Sequence, residues 1–361
     1  MGCREFWKRH KRKLYVSLGL CGGGYMLYKF YDAYNKRVSQ LERQLADEQE
    51  SEELLKAQMQ MHFENIQRIA NTTTLPHTML YLSSRVAEEL DLLHLTERLI
   101  KGKGSVTPAE KLELWDRLKI LSFTRMVLSI WAMTVISLYI RIQVNILGRH
   151  LYIDTARDLG GFQPEGVDLI DETDEQQFLA SADFLSSQRM PILISNMQAA
   201  TTEVLRGKQL RDIFNSSVLD ETIMQILNMF MSMERPHHWV DYLMPEDVRF
   251  HKSVESSGPN VSDITKLDQL MMETRTVLSG SEFGNILEMS LRKVVDGVME
   301  DMKGNVNLSA GLPLAKLLPK VAQISPLLLE EPSRNKFTQI IQNIPQVEVF
   351  FTLLYTNMST S

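Results

Sequence analysis

Helical periodicity is the feature that most constrains what this chain can fold into. Apolar residues recur every three or four positions along most of the 361 residues, as Val38, Leu41 and Leu45 illustrate near the start. No convincing alternation of apolar and polar residues, the pattern of a half-buried strand, is found. The sequence therefore predicts an all-α fold, an elongated helical bundle without internal repeats.

Breakers and capping residues set the expected helix boundaries. Asn71 to Pro76 is a predicted turn, and the glycines of Lys101 to Ser105 interrupt the chain. Thr107, Pro108 and Glu110 predict a helix start. The hydroxyl and the carboxylate can accept hydrogen bonds from the first unpaired N–H groups of the helix, and a proline has no N–H to satisfy. That helix is expected to run to about Leu147. Helices are also expected over residues 79–100, 173–206, 219–233, 262–279, 282–302, 311–324 and 334–356.

The uncharged run from Met126 to Ile140 lies inside this helix, between Arg125 and Arg141. It has two interpretations, a membrane span or a buried helix at the centre of the bundle. A span needs about 20 apolar residues, and this run is shorter and continues as an amphipathic helix on both sides. We therefore predict a buried core helix.

The first 35 residues form a separate segment. An uncharged run, Leu14 to Tyr28, would make a helix of about 22 Å, short of the roughly 30 Å hydrocarbon core. Flanking aromatic rings and lysine stems can extend its reach. We predict a basic targeting segment and membrane anchor over residues 1–35, then a helical domain over residues 36–361. Six basic residues precede the run: Arg4, Lys8, Arg9, Lys11, Arg12 and Lys13.

Two alternatives compete with an anchor. A cleaved signal peptide is disfavoured because no small-residue cleavage site follows the run, which passes directly into Lys29. Acylation at Gly2 and Cys3 is disfavoured because Phe6 stands where the acylation pattern requires Ser or Thr.

Charge and cysteine usage exclude several classes of partner. Residues 1 to 45 carry ten Lys or Arg against three Asp or Glu, whereas the whole chain has a net charge of −6, so the remainder is acidic. An acidic body argues against nucleic acid, while the basic front end suits anionic lipid. Cys3 and Cys21 are the only cysteines, so the rest of the chain cannot hold a disulfide framework, which fits a reducing compartment.

A search for chemistry supports no enzyme. None of the eight histidines has the spacing of a recognised metal motif. Lys101 to Ser105 lacks the spacing of a phosphate-binding loop, and in Gly280 to Gly284 the serine stands one place too early for a nucleophile elbow. We expect no catalytic residues, no metal, no cofactor and no small-molecule substrate.

The run from Lys111 to Arg125 is the strongest candidate for a binding surface. On a helix, Lys111, Trp115, Leu118 and Lys119 share one face, and Leu114 lies close beside it. An apolar patch between two ammonium groups is typical of a groove for an acidic amphipathic helix. The alternative is that Trp115 and Leu118 simply pack in the core.

This same run, continued by Arg141 to Asp154, resembles the central signature of the peroxin-3 family, which comprises docking factors of peroxisomal membrane biogenesis. The similarity covers nearly the whole chain, except for the linkers around 155–190 and 205–235. Further matching segments are Phe6 to Lys13 with its glycine-rich run, His62 to Arg68, Tyr242 to Glu246 and Leu312 to Pro319.

The resemblance implies an anchor in the peroxisomal membrane and a cytosolic all-α body that docks the import receptor peroxin-19 through an amphipathic helix. The central tryptophan and leucine of the family's groove fall on Trp115 and Leu118, the flanking basic positions on Lys111 and Lys119, and an upstream leucine on Leu99. Six basic residues precede the anchor and four follow it closely, so the positive-inside rule would favour a cytosolic N-terminus. The family arrangement is the reverse, with the body of the chain in the cytosol.

Two function classes therefore remain. The first is a non-enzymatic docking receptor for the insertion of peroxisomal membrane proteins. The second is a membrane-anchored tether or adaptor that links an organelle to another structure. Binding of a peroxin-19 peptide would separate them.

Deleting residues 1–35 should release a soluble, folded and monodisperse body that still binds its partner, because an anchor lies outside the core. Size-exclusion chromatography and circular dichroism of the truncated protein check this. Loss of folding on deletion would show that the segment belongs to the core.

Overall fold

The computed structural model describes residues 60–101, 107–159, 170–233, 238–245, 265–305, 308 and 310–356, together with positions 36, 37, 40, 53, 54, 57 and 58. Residue contacts divide the chain into two units, Met1–His62 and Phe63–Ser361. The described positions of the first unit are helical. The predicted anchor over residues 1–35 lies outside the described residues, and the helical domain starting at residue 36 stays a prediction.

The second unit is all-α, as predicted. Of the residues that the structure describes, 85% are helical and 2% lie in strands. After a π-helical turn, Ala70–Thr74, the elements in chain order are α1 (Leu75–Glu89), α2 (Leu93–Lys101), α3 (Pro108–Leu159), α4 (Glu172–Ala180), α5 (Met190–Leu205), β1 (Ile213–Phe214), α6 (Ser216–Met231), α7 (Val240–Leu243), α8 (Lys266–Leu278), α9 (Ser281–Asn305), β2 (Leu312–Pro313), α10 (Leu314–Leu328), α11 (Lys336–Gln342) and α12 (Pro345–Thr356).

Helix α3 forms the centre of the unit. Its 52 residues span about 78 Å, and it packs against α10, α5, α9 and α12 as well as α1 and α2. Every residue from Met126 to Ile140 is buried. Among the described helices, one stretch, Pro108–Asp154 of α3, is long and apolar enough to cross a membrane, and its most apolar window is entirely inside the protein. The structure therefore places the run in the core, as predicted.

Three hydroxyl groups in the buried run of α3 find partners within the helix or on a neighbouring helix. Ser129, Thr134 and Ser137 donate hydrogen bonds of 2.7 to 2.8 Å to carbonyl oxygens four residues earlier. The Ser129 hydroxyl also lies 2.7 Å from that of Ser325, which joins α3 to α10. Burying a serine or threonine hydroxyl at these positions therefore lowers the stability of the fold little.

The C-terminal half of α3 carries buried charges. Arg141 donates from Nε to Gln67 at 2.7 Å, and its guanidinium lies 4.4 Å from the centre of the Phe351 ring. Burial lowers the pKa of Arg141 to about 10, partly opposed by Glu348, so the side chain remains charged at neutral pH.

Glu273 joins α8 to α3. It accepts hydrogen bonds from Arg149 and, at 2.8 Å, from His150 if that ring nitrogen is protonated. Burial alone would raise the pKa of Glu273, but these hydrogen bonds and the Arg149 charge outweigh it, and the pKa is lowered. The carboxylate therefore holds the two helices together in its ionised form.

Two strands of two residues each were not expected from the sequence. They pair antiparallel, Ile213 opposite Pro313 and Phe214 opposite Leu312. Such short strands carry no periodic signal, and this pair forms because the segments before α6 and α10 are brought together in the folded chain. Gly311 adopts φ +74°, a conformation that favours glycine, immediately before β2.

Several predicted boundaries are wrong. Residues 71–76 are helical, because a π-helical turn carries the chain into α1, where Pro76 occupies a tolerated early position. The predicted helix over 79–100 is broken at Leu90, which leaves helical geometry, and the Asp91 carboxylate accepts from the N–H of Leu93 at 2.8 Å. Pro345 likewise divides the helix predicted over 334–356.

The predicted start of α3 is confirmed, whereas its end lies at Leu159 rather than near Leu147. The Thr107 hydroxyl accepts from the Glu110 N–H at 3.3 Å, and the Glu110 carboxylate accepts in return from the Thr107 N–H at 2.9 Å. The hydrogen bond from the Thr107 backbone, followed by that from its hydroxyl, lowers the pKa of Glu110.

Ile136→Ala should lower the free energy of unfolding by about 2 to 5 kcal/mol, because it opens a cavity in a fully buried part of α3. Urea denaturation of the body lacking residues 1–35, without detergent, measures this. Leu353→Ala is the control: its side chain is 54% exposed and the change should stay within about 0.5 kcal/mol. A body that dissolves only in detergent would overturn burial of α3 in a protein core.

Candidate functional site

The residues predicted as a binding surface lie where α2 packs against the first turns of α3. Leu92 and Leu95 from the α2 segment meet Leu114 and Leu118 of α3 in one buried cluster. Leu118 is 8% exposed and Leu114 7%. These two residues therefore belong to the core, as the alternative interpretation of Leu118 expects, and they form the floor beneath the partly exposed residues that pack on them.

The open side of this cluster is apolar and partly in contact with solvent. Four partly buried residues pack on the cluster: Leu99, Trp115, Leu121 and Ala322. Leu112, three residues before Trp115 and so on a neighbouring position of the helix surface, is 58% exposed. We name this surface, formed by α2, the start of α3 and Ala322 of α10, the apical groove. The structure thus brings Leu99, Leu114, Trp115 and Leu118 together.

The two predicted flanking lysines differ. Lys111 is exposed and stands one helical turn before Trp115, as expected of a rim cation. Lys119 is 6% exposed, and its ammonium donates to the carbonyl oxygen of Lys208 at 2.8 Å and lies 3.1 Å from Asp116. The expectation of Lys119 as an exposed rim cation is therefore corrected. Its charge is used to hold α3 to the chain after α5.

The charge around the groove is mixed. Arg98 and Lys111 are exposed cations, whereas Glu110 and Glu113 are exposed carboxylates on the first turns of α3. Arg98 is close enough to Glu110 to lower its pKa further. Because opposite charges alternate here, a ligand would be held mainly by the apolar surface, with the cations acting on orientation.

Sequence reasoning missed three residues of the groove. Leu92, Leu95 and Leu99 stand at i, i+3 and i+7, the spacing of one face of a helix. This apolar stripe before Lys101 could have indicated Leu92 and Leu95 from the sequence. Ala322 lies on α10, two hundred residues along the chain, and no local pattern connects it to Trp115. The predicted targeting residues Arg4, Lys8, Arg9, Lys11, Arg12 and Lys13 lie outside the described residues.

Within the described ranges, no group of three or more His, Cys, Asp or Glu side chains could hold a metal ion. The groove itself is lined by aliphatic and aromatic side chains, without a nucleophile or an acid-base pair.

Comparison with known proteins identifies the family. Residues 102–357 match the family model described as Peroxin-3. The chain belongs to the peroxin-3 family. Peroxisome biogenesis proteins 3-2 and 3-1 of Arabidopsis thaliana are 53% and 52% identical to it, each over 98% of both chains. Peroxisomal biogenesis factor 3 of Homo sapiens is 28% identical over 99% of this chain and 97% of its own.

These similarities confirm the family resemblance of the sequence and the plant-like character of the chain. Peroxin-3 is a family of peroxisome biogenesis factors and not of enzymes, which confirms the prediction that the chain is not an enzyme. The matched region begins just after α2 and includes Lys111, Trp115 and Leu118.

Lys119→Met should lower the free energy of unfolding by about 1 to 3 kcal/mol, because the Lys208 carbonyl oxygen loses its donor in a partly buried hydrogen bond. Lys111→Met is the matched control on the same helix and should stay within about 0.5 kcal/mol, since Lys111 is exposed. Urea denaturation compares the two. Equal stability of both variants would indicate that Lys119 is an exposed rim cation, as the sequence predicted.

Proposed function

We propose that this protein is the docking receptor of the peroxisomal membrane for the import receptor peroxin-19. In this role it supports the insertion of peroxisomal membrane proteins and thereby peroxisome biogenesis. Membership of the peroxin-3 family supports the biogenesis role and the peroxisomal membrane as its location. The observation that carries the docking role is the half-buried indole of Trp115, which packs on the Leu114 and Leu118 cluster with one side open to solvent.

The apical groove suits an amphipathic helix. Its floor of leucines is rigid, because the same side chains hold α2 on α3. Trp115 and Leu99 add apolar surface above the floor, and the exposed Leu112 extends it. A helix that presents apolar side chains at i, i+3 or i+4 and i+7 could cover these residues together.

Lys111 is the proposed orienting cation. It stands beside Trp115 at the edge of the groove and can meet a carboxylate on the polar face of the bound helix. Lys119 does not take this role, because its ammonium is already bonded to Lys208 and Asp116. We therefore expect a modest electrostatic contribution, sensitive to salt, on top of an apolar interaction.

The membrane arrangement is part of the proposal. We propose that residues 1–35 provide a single anchor, with Arg4 to Lys13 as the basic targeting segment, and that the remaining chain faces the cytosol. The buried state of the apolar stretch of α3 supports a single anchor, since that stretch is occupied by protein contacts. Family membership supports this orientation over the weak bias of the flanking charges.

A tether or adaptor that links the organelle to another structure is the second candidate. The same anchor and helical unit would serve it, and the groove could bind a different helix. A peptide from the N-terminal region of peroxin-19 decides between the two, because a tether has no reason to bind it in the apical groove.

Trp115→Ala should weaken binding of the peroxin-19 peptide at least about thirtyfold, corresponding to about 2 kcal/mol for an aromatic anchor at the centre of an interface. Fluorescence anisotropy with a labelled peptide measures this. The melting temperature should change little, because Trp115 is only partly buried.

The control is Leu353→Ala, an exposed change on α12, which packs near Arg149 at the other end of α3. It should leave peptide affinity unchanged. A Trp115→Ala protein with a melting temperature lowered by many degrees and intact peptide binding would make Trp115 a core residue and place the receptor site elsewhere.

A further inference from the structure

A second apolar concavity lies away from the apical groove, between α6 and α9. It has a volume of about 340 Å³, near the lower end of ligand-binding pockets. Met224, Leu227 and Met231 line it from α6, and Leu291 lines it from α9. We name it the methionine cleft. It shares no residue with the apical groove.

The base of the cleft is fixed. The Trp239 ring forms this base, and its indole N–H donates to the Leu278 carbonyl at 3.2 Å. Gly284 faces the ring, and a Cβ at that position would stand 3.7 Å from two ring atoms, an ordinary contact distance. A glycine is therefore not required by packing here. Its effect is to leave the cleft open where a larger side chain would fill it.

The upper wall is adaptable. The Met231 sulfur accepts a hydrogen bond from the Trp131 indole N–H at 3.2 Å, so the adaptable part of the wall is Met224. Met224 is only partly buried, and methionine is flexible and polarisable enough to pack against apolar side chains of different shapes. A wall of this kind over a rigid aromatic base is suited to side chains of a partner protein.

The rim of the cleft carries negative charge. Glu288 is exposed on α9, and within the described residues it makes no hydrogen bond or ion pair. The nearest cation along the helix, Arg292, is held by Asp220 at 2.9 Å and Asp296 at 2.7 Å. The charge of Glu288 is therefore available to a ligand.

We propose that the methionine cleft binds a basic amphipathic helix of a partner protein. One large apolar side chain of the helix occupies the space beside Met224, Met231 and Trp239. A lysine or arginine on an adjacent turn pairs with Glu288. The argument for this occupant is charge complementarity: among the described residues that line the cleft, Glu288 is the only charged one, and its carboxylate is exposed.

The amide side chains of Asn228 and Asn285 add to this complementarity. Both are exposed at the rim, one on each of the two helices, and each carries a donor and an acceptor. They can bond to polar side chains of a bound helix without adding charge. The inference does not depend on the docking of peroxin-19, because it involves other helices and other residues.

The full-length protein in phosphatidylcholine nanodiscs provides the test. The probe is a fluorescein-labelled model helix of leucine and lysine, compared with a matched helix in which glutamate replaces lysine. Gly284→Leu, which fills the cleft, should weaken binding of the leucine-lysine helix about tenfold or more. Glu288→Lys should weaken it about fivefold at low salt, and the difference between the variant and the wild type should shrink in high salt.

Glu300→Lys is the matched control. Glu300 is exposed on the same helix but points about 120° away from Glu288, so its reversal changes the net charge equally without touching the cleft. Affinity for the leucine-lysine helix should change by less than about twofold, the effect of a distant screened charge. Binding of the peroxin-19 peptide should be unaffected by all three variants.

Three results would overturn the proposal. The first is unchanged affinity in Gly284→Leu, or, if that variant does not fold, in Gly284→Ala combined with Met224→Gln. The second is an equal loss in Glu288→Lys and Glu300→Lys, which would indicate a non-specific charge effect. The third is displacement of the helix by decanoate with no effect of Glu288→Lys, which would make the cleft an acyl-chain site.

Discussion

Helix α3 runs through the centre of the Phe63–Ser361 unit, and its burial is the constraint on which the remaining structure depends. From Met126 to Ile140 it has no charged side chain and no exposed face. A helix that is apolar all round must be covered on every side, so α1, α5, α9, α10 and α12 all pack on it. The first turns of α3 position the groove. The C-terminal half of α3 positions Arg149 for its ion pair with Glu273.

The sequence predicts the parts of this fold that are local. The helical class follows from periodicity, and the start of α3 follows from Thr107 and Glu110, whose reciprocal hydrogen bonds need only four residues of chain. The burial of Met126 to Ile140 follows from length, because fifteen residues are too few for an unaided span. Each of these depends on residues that are neighbours in sequence.

The parts that could not be predicted depend on distant residues. Lys119 has the spacing of a rim cation, and only the carbonyl of Lys208, 89 positions along the chain, makes it a buried residue. Ala322 joins the groove because Ser325 fixes α10 against Ser129. The break at Leu90 is a third case, since a leucine is a strong helix former and only the Asp91 cap signals a new helix.

The proposed binding surface shares two residues with the core. Leu114 and Leu118 hold α2 against α3, so changing them alters the stability of the unit and the shape of the groove together. Trp115 packs on this cluster and is only partly buried, and Lys111 is exposed one helical turn before it. In the proposed docking role, changes at Trp115 and Lys111 would act mainly on affinity for the partner, whereas changes in the leucines beneath them would also act on folding. A ligand that binds only the assembled groove would in turn stabilise the contact of α2 with α3, because it binds the folded arrangement and not the open one.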